Sequence, residues 1–426
     1  MGGENFIESI LLFLLIALIG WILLGSVMSK NKAAIFSPIV FFCIYLLYYV
    51  VIPASTISVD FLTGRKITGA WILLLGSILM VLSILCGFGF KVKRNYFKNT
   101  LKIYEGNNTV KIAILLFATA FFFNGLFYGF SLSFIVAHQF EEAAGGGTEV
   151  GHTEMYLTYF ISIFPAAITL LLSTRKRKLA LGFIVVASII YLIGGFRFRL
   201  LILFALLFTY FHLFPKVRRF RWELWLPLFF VFYIAMGIIE STRRYGAGLD
   251  MEAIQNLSEG NVQINKADES AMVYAFSTKA MEIYSKRRPL LFEPIATALL
   301  MPVPRVLFPW KPDGGYLKEA NMAVFQTTDY GNAFLNITEA YLSFGWLGII
   351  LYGLVIGYIS KVFWITYRRN PNSIAAVILL GTYNGFLYIV LSRGYLAQQF
   401  TFYVYYILLF CWLSRLFNFL IKKFKT

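Results

Sequence analysis

Apolar runs of about 20 residues recur from one end of this chain to the other, and each is long enough to cross a hydrocarbon core roughly 30 Å thick as a helix. They fall at about 6–28, 33–53, 68–90, 112–137, 155–173, 179–195, 199–214, 223–240, 337–366, 373–392 and 396–420 of the 426 residues. This repetition predicts an all-α integral membrane protein of about eleven transmembrane helices. Soluble readings are excluded on the same grounds: only 14% of residues are charged and 59% are hydrophobic, against roughly a quarter charged in an ordinary globular domain. The N-terminal run Phe6–Val27 carries Glu4 and Glu8 where a secretory leader would be basic, so it reads as the first span.

Charge then orients the bundle. Lys and Arg number 38 and Asp and Glu 21, a formal net charge of +17. A chain this apolar is no nucleic-acid binder, so the basic excess needs a membrane explanation. The connector 91–111 holds Lys91, Lys93, Arg94, Lys98, Lys102 and Lys111, whereas 138–154 holds Glu141, Glu142, Glu149 and Glu154 and no basic residue. With 91–111 placed in the cytoplasm, helix parity puts 175–178, 216–221, Arg368-Arg369 and Lys422/Lys423/Lys425 inside as well. The cytoplasmic side then carries 23 basic residues and two acids, and the outer side 15 and 19. The expected topology is N-terminus outside and C-terminus cytoplasmic.

Three regions follow: spans one to eight over 1–240, an extracytoplasmic loop over 241–336, and spans nine to eleven over 337–426. The 96-residue loop is too long and too apolar for a simple link and is expected to fold as a helical cap. Residues 268–288 read as an amphipathic helix on the outer leaflet. Residues 290–301 read as a short apolar helix, followed by a proline-rich turn; six of the twelve prolines lie within 289–312.

Several candidate functional residues stand out by position. Arg197 and Arg199 lie in Gly194-Gly195-Phe196-Arg197-Phe198-Arg199, Arg243 and Arg244 follow span eight, Arg305 and Lys311 lie in Pro304–Pro312, and Arg393 occupies Ser392-Arg393-Gly394. All sit on the side where the positive-inside rule disfavours them. Guanidinium presents a planar fork to phosphate oxygens, so the set suits a lipid-linked diphosphate; each Arg alone is equally accounted for by snorkelling to headgroups. Glu339, near the start of span nine, is a candidate to orient or deprotonate a sugar hydroxyl, although the helix dipole favours an acid there in any case. His138 and His152 are alternative bases. Trp310, Tyr316 and Tyr341, with Tyr245, Tyr274 and Tyr330, are candidates to stack on sugar, or members of an interfacial aromatic belt. Cys43, Cys86 and Cys411 lie inside apolar runs, and no HExxH or Gly-rich phosphate loop occurs, so neither a metal site nor a cofactor is expected.

The Gly-Gly-x-Arg turn, Pro-x-x-Leu-Phe-Pro-x-Lys-Pro, Glu339-x-Tyr341-x-x-Phe344-Gly345-x-x-Gly348 and the late Ser-Arg-Gly turn together resemble the Wzy-type repeat-unit polymerases of bacterial O-antigen and capsule synthesis. The resemblance covers about residues 110–400. It implies a GT-C-like integral-membrane glycosyltransferase that joins undecaprenyl-diphosphate-linked glycans, as donor and acceptor, at the outer face of the bacterial cytoplasmic membrane. Membrane lipid and a chain-length regulator are further partners it implies. On the matching positions, Arg197, Arg305, Lys311 and Arg393 would contact the diphosphate, with Arg305 and Glu339 nearest the chemistry. An O-antigen ligase-like enzyme shares the donor and differs in acceptor. A lipid-linked oligosaccharide flippase should show two related halves and charged mid-span positions, neither of which is evident.

Overall fold

The computed structural model of the chain describes residues 2–56, 69–94, 96–104, 108–127, 130, 155–174, 176–193, 197–215, 269–300, 303, 308–310, 322 and 334–424. Among these residues every regular element is helical. In chain order the helices are α1 (Gly2–Val27), α2 (Pro38–Thr56), α3 (Ala70–Gly89), α4 (Lys98–Ile103), α5 (Thr109–Phe127), α6 (Tyr159–Ser173), α7 (Arg177–Ile193), α8 (Arg197–Leu213), α9 (Glu269–Tyr284), α10 (Glu293–Leu300), α11 (Asn336–Phe344), α12 (Trp346–Arg369), α13 (Ile374–Ser392) and α14 (Leu396–Lys423). Seven of them (α1, α2, α3, α5, α12, α13 and α14) are long and apolar enough to cross a membrane; α6 and α8 are shorter apolar helices. The expected span at 223–240 lies outside the described residues.

α13 is the centre of the bundle and α1 its edge. The most apolar window of α13 is 94% buried, that of α1 17%. Between helices in lipid there is no hydrophobic drive, so close approach and dispersion hold them together. Glycine supplies that approach here. α3 and α12 form the most extensive helix pair. A Cβ at Gly353 would stand 2.5 Å from Cβ of Ser83, and one at Gly357 would overlap the carbonyl oxygen of Ile84. From the other helix, Gly87 presses on the Leu354 carbonyl. α13 repeats the device against α8, with Gly385 set where a Cβ would be 2.7 Å from Ile202 Cα and Gly381 against Leu206 and Thr209. Both pairs are Gly-x-x-x-Gly (353/357 and 381/385). Buried hydrogen bonds add to the packing: Tyr49 donates to the Tyr388 hydroxyl at 2.6 Å and Asn384 donates to the Phe36 carbonyl at 3.0 Å.

Helix ends sort into two groups. At one end the Arg369 guanidinium donates to the Val92 carbonyl and Arg415 to Thr100, among the basic residues of 91–102. At the opposite end α9, α10 and α11 meet the starts of α3 and α14. Leu290 and Leu291 amides donate to the carbonyls of Leu342 and Ser343, both at 2.8 Å.

Two expectations change here. The run 337–366 is not one helix: it breaks at Gly345, whose φ of +63° suits glycine and separates α11 from α12. Gly348 then packs so closely on the Ala340 carbonyl that no side chain fits. The second concerns 268–288, expected on the leaflet surface. α9 is instead buried on most of its circumference, including Ser270, Tyr274, Phe276, Ser277, Thr278 and Met281. Its hydroxyls satisfy themselves locally, Ser277 donating to the Val273 carbonyl and Thr278 to that of Tyr274. That is how a helix mixed in composition enters a packed interior.

These glycine contacts give a contrast that thermal unfolding of the purified protein can read. Gly357→Ala is expected to destabilise by about 1–3 kcal/mol, the usual cost of overpacking. Gly182→Ala, with nothing within 4 Å of its Cβ, is expected to be neutral or to gain up to about 1 kcal/mol from helix propensity.

Candidate functional site

The short connection between α13 and α14, Arg393-Gly394-Tyr395, is held from three sides. Its backbone is extended at Arg393 (φ −123°, ψ 90°) and Tyr395 (φ −141°, ψ 92°). The Gly394 amide donates to the Phe334 carbonyl at 2.6 Å, and a Cβ there would lie 2.6 Å from the Leu335 carbonyl oxygen, so only glycine allows this approach. From α11, both carboxylate oxygens of Glu339 accept from the Leu396 amide, at 3.0 and 2.8 Å. From within α14, the Gln399 side chain donates to the carbonyls of Val390 and Arg393 and accepts from Asn336 Nδ2 at 3.3 Å.

Glu339 is 2% exposed. A buried carboxylate is tolerable only when paired and hydrogen-bonded, and the first amides of a helix, at the positive end of its dipole, are such a partner. The acid therefore does sit at a helix start, but the helix it serves is α14, 57 residues on, rather than its own. Its enclosed carboxylate gives a sugar hydroxyl no approach in this arrangement, so its surroundings suit positioning better than proton transfer.

Arg393 is presented by this anchored turn. Its Nη2 lies 3.4 Å from Glu269 Oε1 at the start of α9, and the side chains are 37% and 16% exposed. The contact uses one of five guanidinium N–H donors, so the exposed fork keeps capacity for an anion. α9 is itself tied to the turn through Ser277, whose hydroxyl accepts from the Leu335 amide at 2.8 Å.

Arg199 behaves differently. It is 1% exposed, in the first turn of α8, with Nη1 3.4 Å from the Thr158 carbonyl and its guanidinium 5.5 Å from the Phe198 ring. Phe198, Phe402 and Tyr159 close an aromatic layer around this level, with centroids 5.2 and 5.4 Å apart. Its enclosure fits a structural cation more readily than a surface receiver.

Of the other expected residues, Arg197 begins α8, but its side chain lies outside the described residues, as do Arg243, Arg244, Arg305, Lys311, Tyr316, His138 and His152. Trp310 is 76% exposed and pairs with Phe308 at 5.1 Å. Tyr341 packs half-buried against Trp346 at 5.1 Å; burial raises its phenol, so it meets any ligand as a neutral hydroxyl. The structure thus joins Glu339 and Arg393 through one turn and adds Glu269, Gln399, Asn336 and Ser277, which sequence reasoning missed. Gln399 and Asn336 had a signal, being amides within apolar stretches, where unpaired polar groups are costly. Among the described residues no three His, Cys, Asp or Glu come together as a metal site. No family model, curated protein or solved structure matches the chain.

Glu339→Ala removes the acceptor of the part-buried Leu396 amide, so a loss of about 1–3 kcal/mol in thermal stability is expected. Glu339→Gln keeps an acceptor and should recover at least half of it.

Proposed function

We propose that this protein is a polymerase of lipid-linked oligosaccharide repeat units, acting on undecaprenyl-diphosphate glycans at the outer face of a bacterial cytoplasmic membrane. The observation that carries the reading is the Arg393 turn: a partly exposed guanidinium, fixed by Glu339, Gln399 and Glu269, at the end of the bundle opposite the basic segment that holds Val92 and Thr100. A multi-pass helical bundle also suits a substrate that arrives by lateral diffusion in lipid. The four sequence patterns that resemble the Wzy-type polymerases add the rest.

In the proposed reaction a hydroxyl of the incoming unit attacks the anomeric carbon of the growing chain. The new glycosidic C–O bond forms as the bond to the diphosphate breaks, and the hydroxyl proton passes to solvent or to the departing group. Charge developing on that diphosphate is what Arg393, Arg197, Arg305 and Lys311 stabilise, the kind of electrostatic term that commonly dominates such catalysis. Glu339 acts as a positioning residue, holding the start of α14 and with it Arg393.

A gel of surface polysaccharide from a deletion strain carrying each variant tests this. Arg393→Ala, Arg197→Ala and Arg305→Ala should leave single repeat units at the surface with polymer reduced at least about 100-fold, the loss typical of removing a charge-stabilising donor. Single units trapped on the cytoplasmic face would indicate a flippase. Normal lipid-linked polymer with no surface glycan would indicate a ligase.

A further inference from the structure

At the end of the bundle opposite Arg393, α12, α14 and the segment leading into α4 enclose a groove of about 430 Å³, open to the side. Its wall on α14 is Leu408, Cys411, Trp412 and Arg415, the i, i+3, i+4, i+7 spacing of one helical face. Tyr403 joins that line because α14 makes a π turn at Val404–Leu408, which places residues five apart in register. Facing them, Tyr358, Ile359, Val362 and Phe363 line α12. From Tyr403 to Arg415 the face runs roughly 18 Å along the helix at 1.5 Å per residue, about the length of a fatty acyl chain.

Its two ends differ in chemistry. The deep end is aromatic and aliphatic. The other holds Arg415, whose Nη2 is 3.3 Å from Thr100 Oγ1 in α4, flanked on that helix by the exposed Lys98 and Lys102. Trp412 is 58% exposed and Leu408 44%, and the Tyr96 and Tyr358 hydroxyls meet at 3.0 Å on the rim. A Trp one turn from a cation, in a groove that also carries a pair of Tyr hydroxyls, is the arrangement expected where acyl chain gives way to headgroup.

From this we infer that the groove between α12 and α14 is a binding site for one anionic phospholipid, with one of its acyl chains along Tyr403, Leu408 and Val362 and its phosphate at Arg415. The occupant is set by charge complementarity: a zwitterionic lipid fills the apolar part equally well but brings its own cation to a mouth that already holds Arg415, with Lys98 and Lys102 exposed on the neighbouring α4. The inference is independent of the proposed activity, since none of these residues belongs to the Arg393 turn.

The test uses the full chain, purified in detergent and incubated with equimolar phosphatidylglycerol and phosphatidylcholine, with retained lipid counted by native mass spectrometry. Phosphatidylglycerol should be retained preferentially, and Arg415→Gln should lower that preference about fivefold, the worth of one basic residue near an anionic headgroup. Arg415→Lys should keep most of it. Val362→Trp, which fills the groove without altering charge, should remove both lipids while the protein still elutes as a single species. Equal retention of the two lipids by the unaltered chain, a preference unchanged in Arg415→Gln, or a second copy of the chain held at this face and released by Val362→Trp would each overturn the inference.

Discussion

The first amides of a helix have no partner within it, and the Leu396 amide at the start of α14, part-buried in the bundle, is such a group. Glu339 answers it with both carboxylate oxygens. That single contact fixes where α14 starts, and so the height at which α13 must end and the direction in which Arg393 leaves the turn. Gln399 and Asn336 reinforce the same point from either side. Because Glu339, Asn336 and Gln399 are themselves buried, each of these bonds is worth more than at a soluble surface, and each left unmade costs more. The partly exposed Arg393 is thereby held by a network of buried polar groups.

The body that carries this network is assembled by glycine. The Gly353/Gly357 pair lets α12 press on the backbone of α3, and Gly381/Gly385 lets α13 press on α8. α13 lies buried through nearly all its length, so its two ends inherit the rigidity of its middle. The Arg393 turn caps one end of it. At the other end of the bundle, Arg369 and Arg415 tie α12 and α14 to the basic segment 91–103. One end therefore holds Arg369 and Arg415 in hydrogen bonds to backbone and hydroxyl groups, and the other offers Arg393 to the Glu269 carboxylate.

The membrane class and most helix positions were legible because apolar length is a direct signal. What hydropathy could not register was a break inside an apolar run: Gly345 interrupts 337–366 through its backbone conformation alone. Nor could it place α9, whose Ser, Thr, Lys and Glu content reads as a surface helix; the local hydroxyl bonds that let it be buried are made only once it is helical. Glu339 was legible as a helix-start acid but not as the partner of a helix 57 residues away, since that pairing is a product of tertiary packing. The two Gly-x-x-x-Gly pairs are visible in the chain, but which helix each would face is not. Arg199 and Arg393 look alike as arginines near helix ends, and only burial separates them, one at 1% exposure and the other partly open.

Reconstitution tests whether the Arg393 end of this bundle acts on a lipid-linked diphosphate glycan. The purified chain in vesicles would be given undecaprenyl-diphosphate-linked repeat units, and the lipid-bound glycans would be sized with time. A ladder of lengthening glycan together with release of undecaprenyl diphosphate is the result expected. Units that cross the bilayer without lengthening, or that remain unchanged on the leaflet where they were supplied, would contradict it.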